Sequence, residues 1–253
     1  LVDASQPWAA AVAADLPLLT GDDPRAALSA AAAARGLRTA SGRALRFVAA
    51  DDAPAGIAYE AHIAATGRVP TRLDAHDLLN ALVWLALPSS KARLNALQAA
   101  GIARHGVGAR RGPLRDAATL LDESGVLLVT DDAEMALLLR ERRWHELFIA
   151  RRLRWSAVRA LVCGHGLMAK LAAPYKAITG HALLVALPAA TAVSEVDARL
   201  AAGLDDGLNP SVLMPLPVLG IPGWCAANAD PAFYDDGAVF RAARGASAGS
   251  PRG

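Results

Sequence analysis

Three residues that can take or give protons or bind a metal, His76, Asp77 and Asn80, fall close together in the stretch PTRLDAHDLLNALVWLALPSSKARLNAL, residues 70–97. At 100° per residue they share an arc with Trp84, opposite an apolar arc of Leu78, Leu79, Leu82, Leu85 and Ala86. A solvated helix face is ordinarily filled by Lys, Glu, Gln and Arg, which are good helix formers, and this arc has none of them. His, Asp, Asn and Trp are poorer choices, so a site selects them better than propensity does.

His165 stands between Gly164 and Gly166, just after the apolar run Val158–Cys163. A histidine at a strand end has its ring free to reach a cleft. Arg110, Arg111 and Arg115 precede Asp116 and Asp122, and guanidinium groups bind phosphate or carboxylate bidentately. These residues favour a metal-dependent or His/Asp-based hydrolase acting on an anionic, for example phosphorylated, substrate. The candidate catalytic residues are His76, Asp77, Asn80 and His165. The candidate substrate-binding residues are Arg72, Lys91, Asn95, Arg111 and Arg115, and the candidate ligands for a divalent metal are His76, Asp77, Asp122 and His165. Glu60, Asp116 and Glu123 receive no role. No spacing here is diagnostic of a metal site in the way HExxH is. The alternatives are a non-catalytic module binding an anionic small molecule or nucleic acid, and a scaffold whose His76 face is covered by its own C-terminal segment.

The elements that must position these groups follow from capping and periodicity. Asp74, with Asp77 three residues on, starts a helix that Pro88 ends, giving about 75–87. Ser89 or Ser90 starts a second, to about 104, with Lys91, Asn95 and Gln98 on one stripe. The short connection makes an αα-hairpin. Tyr59-Glu60 opens an earlier helix that stops at Gly67. The runs 116–122 and 125–129, joined by Asp-Glu-Ser-Gly, read as a β-hairpin in which Gly125 takes the positive φ. Helices are also expected over 8–16, 25–35, from 131 or 132 onward, over 143–154 and over 194–204, with strands near 158 and 182. The Pro- and Gly-rich segment from Pro215 to Arg241 should wrap the core without regular structure. The expected fold is α+β, a helix-rich single domain over 1–243 with the hairpin of about 75–104 on a small antiparallel sheet, and 244–253 a disordered tail.

Composition narrows the classes. No apolar run approaches the ~20 residues of a membrane span, and a net charge of +2 argues for neither nucleic acid nor membrane. The basic segment Arg140 to Arg159 is more simply a solvated face than a nucleic-acid surface. Cys163 and Cys225 are far apart, which suggests reduced thiols and a cytoplasmic protein.

The strings YE (59–60), GRVPTRLDAHDLLNALVWLALPSSKARLNALQ (67–98), RRGPLRDAATLLDESGVLL (110–128), WHELF (144–148), GHGLMAKLAAPYKAITGHAL (164–183) and PVLGIPGWCAANADPAFYDDGAVFR (217–241) together resemble a bacterial family of unknown function, DUF3025. The resemblance implies a bacterial source and one full-length domain, and it implies no activity. Ala169 stands where the family pattern leads one to expect an acidic residue.

Overall fold

A computed structural model describes residues 2–106 and 112–243. Arg110, Arg111 and the segment 244–253 lie outside the described residues. The fold is α+β, with helices packed around a four-stranded sheet and a separate two-stranded ribbon.

The N-terminal part carries α1 (Pro24–Ala34), whose first turn is capped by the Asp23 carboxylate, and β1 (Arg46–Val48). The expected helix over 8–16 is instead two 3-10 turns, Pro7–Ala9 and Ala13–Leu19, the second carrying Pro17 inside it. A proline supplies no backbone donor, which interrupts an α-helix. After α2 (Tyr59–Thr66), Gly67 adopts φ 73°, and β2 (Arg68–Pro70) pairs in parallel with β1.

The central stretch folds as α3 (Ala75–Ala86) and α4 (Pro88–His105), which meet at Leu87. The Asp74 side chain caps α3 by accepting from the Asp77 amide at 2.9 Å. The start of α4 is capped differently from the expectation. Pro88 opens it, and the carboxylate of Asp197, on α8 (Val193–Gly203), accepts from the amides of Ser89 and Ser90 at 2.9 and 2.8 Å. Satisfying orphan N–H groups from a distant helix ties α8 to α4.

The expected hairpin over 116–129 is the main correction. Residues Pro113–Ser124 form a helix, α5, and Gly125–Val129 follow directly as strand β3. Leu114, Ala117, Ala118 and Leu121 fall at i, i+3, i+4 and i+7, the helical period, and Pro113 sits at the first helical position where its missing N–H costs nothing. Gly125 has φ −67°, so no left-handed turn is present. Asp116 and Asp122 therefore do not share a face, and Asp122 and Glu123 lie in the last turn of α5.

Strand β3 is buried along its whole length at the centre of the sheet. It pairs antiparallel with β4 (Arg159–Val162) and parallel with β5 (Thr179–Val185), which pairs antiparallel with β6 (Met214–Pro217). The order β4-β3-β5-β6 makes the sheet mixed, with antiparallel neighbours at both ends. Pro215 and Pro217 are accommodated because β6 is an edge strand. Between β3 and β4 come α6 (Ala133–Arg140) and an irregular stretch. Residues expected as a helix over 143–154 form a π turn, Glu146–Ala150, and a 3-10 turn, Arg152–Ala157. There Phe148 stacks on Trp144, Trp155 and Tyr234, so aromatic packing dominates over helical regularity. Helix α7 (His165–Leu171) begins immediately after β4.

The C-terminal segment wraps this aromatic cluster through Tyr234 and Phe240, as its composition suggests, while β6 and several 3-10 turns give it more order than expected. It leaves His76 uncovered, with 42% of that side chain exposed.

Candidate metal centre

Three helix termini meet at one point. His76 lies in the first turn of α3, Glu123 in the last turn of α5, and His165 opens α7. The close approach of α5 and α7 depends on two glycines. A Cβ on Gly164 would collide with the backbone of Ser124 and Gly125, and one on Gly166 with the Glu123 carboxylate. The G-H-G spacing thus presses His165 against the end of α5. Two carboxylates in the last turn of a helix oppose its macrodipole, a placement that local helix energetics disfavours by a few tenths of a kcal/mol each.

The Nε2 atoms of His76 and His165 are 3.1 Å apart. Glu123 Oε1 is 3.8 Å from His76 Nε2 and 3.5 Å from His165 Nε2. One ligand atom from each residue can be chosen so that all lie within 4.8 Å of one another. Tetrahedral coordination with bonds of about 2.0–2.1 Å gives ligand–ligand edges of roughly 3.3 Å, so the observed triangle matches one face of such a site. A set of two histidines and one carboxylate leaves a fourth position open, the arrangement of catalytic rather than structural zinc.

The wall behind His165 is built to orient it. Its Nδ1 is buried without a hydrogen bond, and Asp122 Oδ2 lies 3.8 Å away. Metal-bound histidines commonly direct their second nitrogen to a carboxylate, which fixes tautomer and ring orientation. Asp122 in turn pairs with Lys91, whose ammonium donates to Asn80 Oδ1 at 2.8 Å, and Asn80 donates to the Tyr59 hydroxyl at 3.0 Å. Burial alone would raise the Asp122 carboxyl, but Lys91 and His165 outweigh it and hold it below the usual carboxylate range. Burial also lowers His165, partly offset by Asp122, which favours the neutral imidazole that a metal requires.

A cleft of about 460 Å³ opens in front of the triangle. Its lining includes Tyr59, Glu60, Arg72, His76, Asp77, Asn80, Asp122, Glu123 and His165. Glu60 is anchored by Asn95, whose amide donates to its carboxylate and, at 3.0 Å, to its backbone carbonyl. Burial, with Asp122 nearby, raises the Glu60 carboxyl to about 7 despite Lys91 and the Asn95 bond. Burial likewise pushes the Tyr59 phenol well above its usual value, so it keeps its proton. A groove of about 450 Å³ between β5 and α8 is mainly aliphatic and gathers no comparable polar set among the described residues.

A family described as a protein of unknown function (DUF3025) matches residues 45–244. The chain belongs to the DUF3025 family. No curated protein and no solved structure matches this DUF3025 chain.

The sequence-derived residues are distributed as follows. His76 and His165 meet, and Asn80, Lys91 and Asp122 stand directly behind them. Asp122 backs His165 instead of completing the triangle, and Glu123 stands in the triangle where the sequence suggests Asp122. Asp77 is committed to Arg72, accepting from its backbone amide, Nε and Nη2 at 2.8, 2.9 and 3.0 Å, so neither residue is free for the role expected of it. Asn95 serves Glu60. Arg115 packs against Gly101 and donates weakly to Gly106, outside the cleft lining. Glu60, Tyr59 and Glu123 are not selected by the sequence pattern. The legible signal for Glu123 is an acidic pair closing a helix, which a turn assignment conceals.

Proposed function

We propose that this DUF3025 chain is a metal-dependent hydrolase whose divalent metal is held by His76, His165 and Glu123. The observation that supports this most directly is the convergence of these three side chains from helices otherwise separate in the chain, at ligand-like spacing and with a carboxylate behind one histidine. A metal there would lower the pKa of a water and stabilise charge developing in the transition state. Glu60, in the same cleft and raised to about 7, takes a proton from the attacking water and returns it to the leaving group, so that water is added across the scissile bond. Tyr59, held by Asn80 and kept protonated, donates toward the oxygen on which charge accumulates. Asp122 and Lys91 position His165.

Less supports a nucleic-acid surface. In the basic segment Arg143 pairs with Glu141 and Glu146, Arg151 with Glu134, and Arg154 with Asp132 and Glu134. The test of the hydrolase is turnover by chelator-treated protein before and after zinc is restored, in wild type, His76→Ala and Glu60→Gln. Zinc-dependent turnover lost in both variants supports it, and turnover that survives in both rejects it.

A further inference from the structure

Resting on the hydrolase reading of the same cleft, we infer that the substrate is an uncharged acyl compound, an ester or amide with an apolar group beside the scissile bond, and not the anion that the arginine-rich sequence suggests. Four carboxylates, Glu60, Asp77, Asp122 and Glu123, line the cleft; Arg72, also in the lining, is paired with Asp77, and Lys91, behind the lining, is paired with Asp122. Arg72 also lies 3.3 Å from Asp74. With Glu60, raised to about 7, counted as neutral, three carboxylates face two cations, a formal excess of one negative charge. Neither of these two side-chain cations is left unpaired to hold a phosphate or carboxylate, and releasing the buried Lys91 to a ligand would strand Asp122.

The rest of the lining is apolar. Ala50, Ala53, Ile57 and Pro70 line the same cleft, and Ile57 and Tyr59 are 53% and 39% exposed. Large apolar side chains gathered at the mouth of a cleft that holds catalytic groups offer burial to a ligand's apolar substituent. Ile57 is therefore a specificity residue, placed to contact the substrate group that flanks the carbonyl. Hydrolysis joins the water oxygen to the acyl carbon, breaks the bond from that carbon to the leaving oxygen or nitrogen, and leaves the water's second proton on the leaving group.

The test uses hydroxamates, which chelate an active-site metal through a common head and differ only in their tails. The full chain is first titrated with zinc, then with hexanohydroxamate, with the monohydroxamate of succinate, and with inorganic phosphate, by calorimetry. Hexanohydroxamate should bind roughly tenfold or more tightly than the succinate compound, as burial of a short alkyl chain implies, and phosphate should bind more weakly than either. Ile57→Asp should remove that tail preference while the unfolding temperature stays as in wild type, because Ile57 is 53% exposed. Tighter binding of the succinate compound or of phosphate, or an unchanged preference in Ile57→Asp, overturns the substrate assignment while leaving the metal centre standing. Failure to take up zinc at the first step overturns both.

Discussion

Two charged regions of this molecule carry opposite lessons. The segment from Arg140 to Arg159 is the most basic in sequence, and its paired arginines are exposed: Arg143 and Arg154 retain 46% and 44% of their side-chain surface, although Asp132, one partner of Arg154, is 11% exposed. The pair Lys91–Asp122 looks ordinary in sequence, yet both side chains are nearly buried, at 8% and 14%. Exposed pairs are worth little because water solvates either partner as well as the other does. A buried pair is retained at a desolvation cost, and here it backs a histidine whose other nitrogen faces His76. Burial and convergence, more than charge density, distinguish the region that we propose carries the chemistry.

The contrast is sharpest in stability. Lys91→Met leaves Asp122 buried without its cation and should cost about 3–5 kcal/mol in urea unfolding, whereas Arg154→Met should cost about 1 kcal/mol or less. Equal losses would erase the distinction. A smaller effect is expected from Gly166→Ala, whose new methyl must displace the Glu123 carboxylate. Zinc affinity should fall about 10-fold or more with little change in unfolding midpoint, and an unaltered affinity would remove Glu123 from the ligand set.

A further effect, spread over several pH units, is a pH dependence of stability. Glu60 has a folded pKa of about 7, against about 4.3 in an unfolded chain. The folded protein therefore holds a proton that the unfolded chain releases between these values. The contribution is fully present below about pH 4.3 and is lost as pH rises through 7. Glu60→Gln removes that loss, so chelator-treated Glu60→Gln should gain on wild type between about pH 5 and 8, by at most about 1.4 kcal/mol per pH unit. A difference that does not change with pH would mean that the Glu60 carboxyl titrates normally.

Much of this arrangement is legible in the sequence. The absence of ordinary solvent-face residues on α3 points to His76 and Asn80, and the flanking glycines point to His165, because both signals are local. Asp77 misleads because an acid beside a histidine has the same sequence appearance whether it binds a metal or a neighbouring arginine. The end of α5 is ambiguous because Leu-Leu pairs fit a period of two as well as 3.6 over a short run, and Asp-Glu-Ser-Gly imitates a turn. That imitation hides Glu123, whose role arises only when α5 and α7 close upon each other through Gly164 and Gly166. Glu60 is invisible for a related reason, since its raised pKa comes from burial in the fold and then from Asp122, which is far away in the chain.

The proposal that His76, His165 and Glu123 form one metal site is tested most directly by calorimetric titration of zinc into chelator-treated full chain, wild type beside His76→Ala and Glu123→Gln. Wild type should bind one equivalent, and both variants should lose binding. No zinc uptake by wild type, or equal uptake by all three proteins, would contradict it.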